Sequence, residues 1–90
     1  MSERQAMKPT HWLLIGGEGH GKAIWVKGGT SVKYPSKNSI ANDLLYVERT
    51  YVLDGKLYRL GIHNATDVEM AQIPDLINQH KLEAIGIVQY

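Results

Sequence analysis

The sequence predicts an α+β domain: a small, mostly antiparallel sheet of about five strands with one or two short helices. Three observations carry that expectation. Alternating apolar and polar residues flank two glycine-bearing turns, Gly28-Gly29 and Asp54-Gly55. After His63 the period changes, and Thr66-Asp67-Val68-Glu69 has the form of a helix capping box. The 90 residues are 43% hydrophobic, which supports one modest core and no second domain.

The elements follow in order. Residues 1–10 (MSERQAMKPT) show no hydrophobic period and are expected to form a flexible arm, leaving 11–90 as the single ordered domain. HWLLI, residues 11–15, is a short apolar run stopped by glycine and reads as a strand. Residues 16–21 (GGEGHG) are loop by composition. KAIWVK and TSVKY then flank Gly28-Gly29, a two-residue hairpin signal because the primed turns need positive φ. That turn would pair Lys27 with Thr30, Trp25 with Val32 and Ala23 with Tyr34, setting Trp25 and Tyr34 on one face. Residues 36–43 are polar connection with room for one helical turn.

The clearest local signal is LLYVERTYVL, then Asp54-Gly55, then KLYRLGIH. It sets Tyr51 opposite Tyr58, Arg49 opposite Leu60 and Val47 opposite Ile62. Leu45, Val47, Tyr51, Tyr58, Leu60 and Ile62 should form the core face. Tyr46, Glu48, Thr50, Arg59 and His63 should meet water or a partner. Pro74 cannot sit inside one continuous helix, so two helices are expected, about 67–72 and 74–80. LEAIGIVQY, residues 82–90, closes as a final strand.

Charge and composition exclude several functions. Ten Lys plus Arg against nine Asp plus Glu leave a net charge of +1, which argues against nucleic-acid binding driven by bulk charge. The absence of cysteine removes disulfides, thiolate zinc sites and a cysteine nucleophile. No apolar run approaches the ~20 residues of a membrane span, so a cytoplasmic address is expected and no membrane partner.

Residues 16–22, GGEGHGK, satisfy the G-x-x-x-x-G-K pattern of a phosphate-cradling loop. Ala23 stands where Ser or Thr would hold magnesium, and a strand pattern follows where a helix should begin. Nucleotide hydrolysis is therefore not expected. A plain β-connection is the simpler reading. A non-catalytic anion nest built from Gly19, His20, Gly21 and Lys22 is the other one. His11, His20, His63 and His80 have no metal-ligand spacing, so no metal is assigned. Glu48, Arg59, His63 and Tyr46 on one hairpin face could bind an anion or do acid–base work, but cross-strand ion pairs look the same from sequence and are far commoner. Arg49 falls among core-face residues, either as an inward charge at a sheet edge or as a group projecting into a binding site. Trp25 and Tyr34, with Arg49 or Arg59 as polar partners, are the candidate protein-docking residues, since exposed Trp, Tyr and Arg anchor interfaces. Lys27, Lys33 and Lys37 near these aromatics could also stack and steer single-stranded nucleic acid, a version that the near-neutral net charge weakens.

Two segments, WLLIGGEGHGKAIWV and TYVLDGKLYRLGIHNATDVE, resemble small accessory proteins of tailed bacteriophages. The resemblance spans roughly residues 12–77. It implies a phage or prophage origin and expression in bacterial host cytoplasm, and it carries no catalytic residues. The expectation is a non-enzymatic protein without cofactor. It would bind a bacterial or phage protein and could thereby inhibit a host enzyme or defence system. A homo-oligomer is compatible with that expectation. The alternative is a nucleotide or single-stranded nucleic-acid module using the loop at 16–22.

Overall fold

A computed structural model describes residues 9–37 and 43–88. The expected arm, apart from Pro9 and Thr10, lies outside the described residues, as does most of the polar connection at 36–43. Six strands and two helices follow one another as β1 (Pro9–Ile15), β2 (Ala23–Lys27), β3 (Ser31–Tyr34), β4 (Leu44–Leu53), β5 (Lys56–Ile62), α1 (Asp67–Ala71), α2 (Ile73–His80) and β6 (Gly86–Ile87). The α+β composition agrees with the sequence reading. Order begins slightly earlier than expected, with Pro9 and Thr10 inside β1. None of the helices among the described residues is long and apolar enough to cross a membrane.

The sheet is mixed, in the order β2-β1-β5-β4-β3, with β6 on the same edge of β5 as β1. The expected antiparallel pattern is broken at its centre, where β1 runs parallel to β5 from Trp12↔Arg59 to Ile15↔Ile62. The second hairpin has the expected register, including Tyr51↔Tyr58, Arg49↔Leu60 and Val47↔Ile62. Asp54 and Gly55 both take positive φ, 52° and 76°, as a primed turn requires.

The first expected hairpin does not form. Gly28 and Gly29 also have positive φ, yet β2 pairs with β1 and β3 with β4, so Lys27 and Thr30, Trp25 and Val32, and Ala23 and Tyr34 are not partners. β1 is an apolar strand buried on both faces and takes β2 as its neighbour. β4, ten residues long, takes β3. Residues 28–30 thus join the two outer strands of the five-strand path. Four Cα steps reach at most ~14 Å, whereas the outer strands of a flat five-stranded sheet stand ~19 Å apart. The sheet must curl, and it is nearly closed.

Curling gives the sheet two buried faces. On the convex face, Leu13, Ile15, Tyr58 and Leu60 pack with Ile73 and Ile77 of α2 and with Leu82 beyond it. On the concave face, Trp12, Leu14 and Tyr46 are buried. Gly61 makes that closure feasible: a Cβ there would lie 3.0 Å from Leu14 Cδ2, 3.0 Å from Tyr46 Cβ and 3.2 Å from Trp12 Cε3. This corrects the assignment of Tyr46 to a solvent-facing surface, for it is 0% exposed. Leu45 and Val47, expected in the core, are about half exposed on the other face.

The helices match the sequence closely. Thr66 Oγ1 accepts the Glu69 N–H at 3.1 Å, and Glu69 Oε1 accepts the Thr66 N–H at 2.9 Å, completing the capping box. Pro74 stands in the first turn of α2. The final strand is shorter than expected, two residues anchored by Ile85 N–H to Leu57 O at 2.7 Å and Val88 N–H to Gly55 O at 2.8 Å.

Candidate functional site

The glycine loop connects β1 to its antiparallel neighbour β2, and β2 begins at Ala23, where a phosphate-binding loop would start its helix. Five of its backbone N–H donors, those of Gly16, Gly19, His20, Gly21 and Lys22, are engaged within the fold. Gly16 N–H donates to His20 Nδ1 at 2.9 Å and Gly19 N–H to the Tyr46 hydroxyl at 2.9 Å. His20 N–H donates to Gly17 O, Gly21 N–H to Leu14 O and Lys22 N–H to Gly19 O. The four residues proposed for an anion nest therefore have their N–H groups already bonded. Lys22 places its ammonium 6.0 Å from the Tyr34 ring centroid.

Tyr46 pins this loop from below. Its hydroxyl donates to Gly16 O at 2.6 Å while accepting from Gly19, and burial pushes its pKa up. Gly16 has φ +90° and its Cβ position lies 2.1 Å from His63 O, so only glycine fits. At the loop rim Glu18 accepts from the Ser36 hydroxyl and from the Lys37 N–H. His20 accepts from Gly16 through Nδ1, so its Nε2 carries the proton and donates to Gln72 Oε1 at 2.7 Å. These contacts tie the loop to the helical segment and to the residues after β3.

The four candidate docking residues do not form one patch. Trp25 is 54% exposed on the convex side and stacks flat on His11, its cross-strand partner, at 4.3 Å between centroids. Tyr34 is half-buried on the concave side, edge-on to Tyr46 at 6.0 Å. The two belong to different strand pairs and opposite faces, because the hairpin that would have joined them is absent. Arg59 lies on the concave side in an ion pair with Glu48, Nε to Oε2 2.7 Å. This is the cross-strand ion pair that the sequence also allows, worth at most about 1 kcal/mol at such exposure. His63, the fourth member, bonds Leu45 O at 3.0 Å and packs its ring 5.4 Å from Tyr46. Arg49 is exposed on β4, on the convex face.

Arg49 is the residue that leads to a surface. With Tyr51, Leu60, Ile62 and Met70 it lines a cavity of about 260 Å³ between the β4–β5 ladder and α1. Val47, the neighbour of Ile62 across the ladder, continues the apolar floor and is 50% exposed. The five residues of α1 bury none of their side chains, and Val68 and Met70 are both exposed. The result is a groove, apolar at its floor, with one guanidinium at its rim.

No family model, no curated protein and no solved structure matches this chain. What the site can do rests on its geometry. Sequence reasoning missed Val47 and Met70 as surface residues. The signal lay in α1: Val68 and Met70 are separated by about 200° around a helix, so a single turn cannot bury both. A helix that short also cannot cover the first half of a ten-residue strand. Among the described residues no three His, Asp or Glu side chains gather as a metal site.

Proposed function

We propose that this protein acts by binding another protein, bacterial or phage, through the groove between β4 and α1. The observation that carries this reading is the uncovered apolar floor. Val47 and Met70 stand exposed beside Tyr51, with Arg49 at the rim. Tyr, Met and Arg are enriched at protein interfaces, and a well-packed aromatic or arginine anchor typically dominates the binding energy. The reading is of a binding protein and not a catalyst. Its resemblance to small phage accessory proteins supports a bacterial host cytoplasm as the setting and a host enzyme or defence protein as the target. The nucleotide or single-stranded nucleic-acid alternative has less behind it, since the loop donors from Gly19 to Lys22 are engaged and Trp25 and Tyr34 make no common stacking row.

The test is capture from nuclease-treated bacterial lysate on immobilised protein, comparing the wild type with Val47→Lys and Met70→Lys. Both positions are exposed, so each variant should keep its stability within about 0.5 kcal/mol. We expect a defined protein retained by the wild type and lost from both variants. Capture that disappears on nuclease treatment would favour the nucleic-acid reading, and capture indifferent to both substitutions would place the interface elsewhere.

A further inference from the structure

We infer that a second copy of this chain pairs with the open edge of β4, strand to strand, about a two-fold axis at Tyr51. The argument begins with the backbone. Glu48 donates its N–H to Thr30 O at 2.9 Å, on the side of β4 away from β5. Backbone groups alternate sides along a strand, so Thr50 and Val52 direct N–H and C=O the same way. The β3 ladder ends at Val47, and among the described residues no strand lies beyond it on that side. An unpaired strand edge recruits another strand.

The register selects the partner. A two-fold at Tyr51 sets Thr50 opposite the second copy's Val52, and the reverse, so the outward groups of both residues pair. It uses the edge from Arg49 to Leu53 and stops at the turn. A two-fold at Thr50 would drive the incoming strand against Thr30, whose carbonyl is already bonded to Glu48. One at Val52 would draw Asp54 and Gly55, held in the left-handed region, into the ladder. In the middle register Arg49 falls opposite the second copy's Leu53, next to its Asp54, and the symmetry repeats this contact at the other end. Glu48 falls opposite that Asp54 and is already held in its ion pair with Arg59. Neither Arg49 nor Asp54 has an ion-pair partner among the described residues. Val52, about half exposed, gains cover on the concave side. Arg49 then serves as a selective contact at the edge and no longer as a guard against pairing. The inference shares Arg49 and Tyr51 with the groove but concerns the backbone edge of β4, and sedimentation of the purified chain reads it apart from capture of the groove's partner.

Sedimentation of the full chain tests the dimer, and two variants test its register. Thr50→Pro removes an N–H that the fold itself does not use, so the melting temperature should hold. Dimer dissociation should rise roughly tenfold or more for the lost hydrogen bonds. Tyr51→Cys introduces the chain's single cysteine, and opposed residues of a non-hydrogen-bonded antiparallel pair lie within disulfide reach. Under a glutathione redox buffer it should cross-link to a covalent dimer far faster than Lys33→Cys, with circular dichroism reporting the fold of each. A wild type that sediments as a monomer overturns the inference, as does a dimer unaffected by Thr50→Pro. Equal cross-linking of Tyr51→Cys and Lys33→Cys overturns the register, and with it the proposal.

Discussion

Tyr46 shows how one hydroxyl can govern a glycine loop. It serves Gly19 as acceptor and Gly16 as donor in a site where both glycines are buried, so no water replaces it. Tyr46→Phe should therefore cost about 1–3 kcal/mol, the penalty for leaving buried backbone groups unpaired, read from urea denaturation. The same residue sets an alkaline limit. Its pKa is raised from the ordinary value of 10.0, chiefly by burial, so the folded chain keeps a proton that the unfolded chain releases. That contribution is complete below pH 10 and is lost as pH rises beyond it. Stability of the wild type should fall more steeply above pH 10 than that of Tyr46→Phe. None of this was legible beforehand, because alternation placed Tyr46 on the outer face of an assumed flat sheet. Only the curl, with Gly61 leaving room for Trp12 and Leu14, puts both faces of the hairpin in contact with core.

Two turns with the same local signature have different outcomes at the scale of elements. Gly28-Gly29 and Asp54-Gly55 both hold positive φ at each residue. One closes a hairpin and the other spans the gap between outer strands. The Asp-Gly turn joins strands of ten and seven residues whose alternation matches, and they find each other. The Gly-Gly turn joins strands of five and four residues, and each finds a longer neighbour elsewhere. Turn chemistry specifies the bend; pairing is settled by which apolar strands compete for the same edge. The helices were legible for the opposite reason, since the capping box and Pro74 act within a few residues of themselves. Gly55 has no neighbour within 4 Å of a Cβ position, so a substitution there tests backbone strain alone. Gly55→Val should destabilise by about 1–2 kcal/mol, while Asp54→Asn should be close to neutral. Equal tolerance in thermal melts would mean that the turn does not hold the register.

For the molecule as a whole, the segment after α2 is tied back to the first strand through a histidine. Glu83 donates its N–H to His11 Nδ1 at 3.2 Å, and the ring is sandwiched against Trp25. The His11 pKa is lowered from 6.5, first by burial, with Glu83 pulling it up and His80 pushing it down. In the window below 6.5 the unfolded chain takes up a proton that the folded chain resists, so stability is present above that pH and falls as pH drops. Melting temperatures measured from pH 7.5 to pH 5 should decline more for the wild type than for His11→Gln, which keeps an acceptor without the charge. The parallel pairing of β1 with β5 has a kinetic consequence. Trp12 meets Arg59 only after the whole of β2, β3 and β4 has been threaded past, whereas β4 and β5 meet across two residues. Non-local pairings of that kind are slow to form. Until β1 docks, its Trp-Leu-Leu-Ile run, wholly buried in the finished fold, is open to solvent. Refolding yield should therefore fall with protein concentration more than the modest size of the chain would suggest, because the strand that completes both cores is also its stickiest segment while it waits.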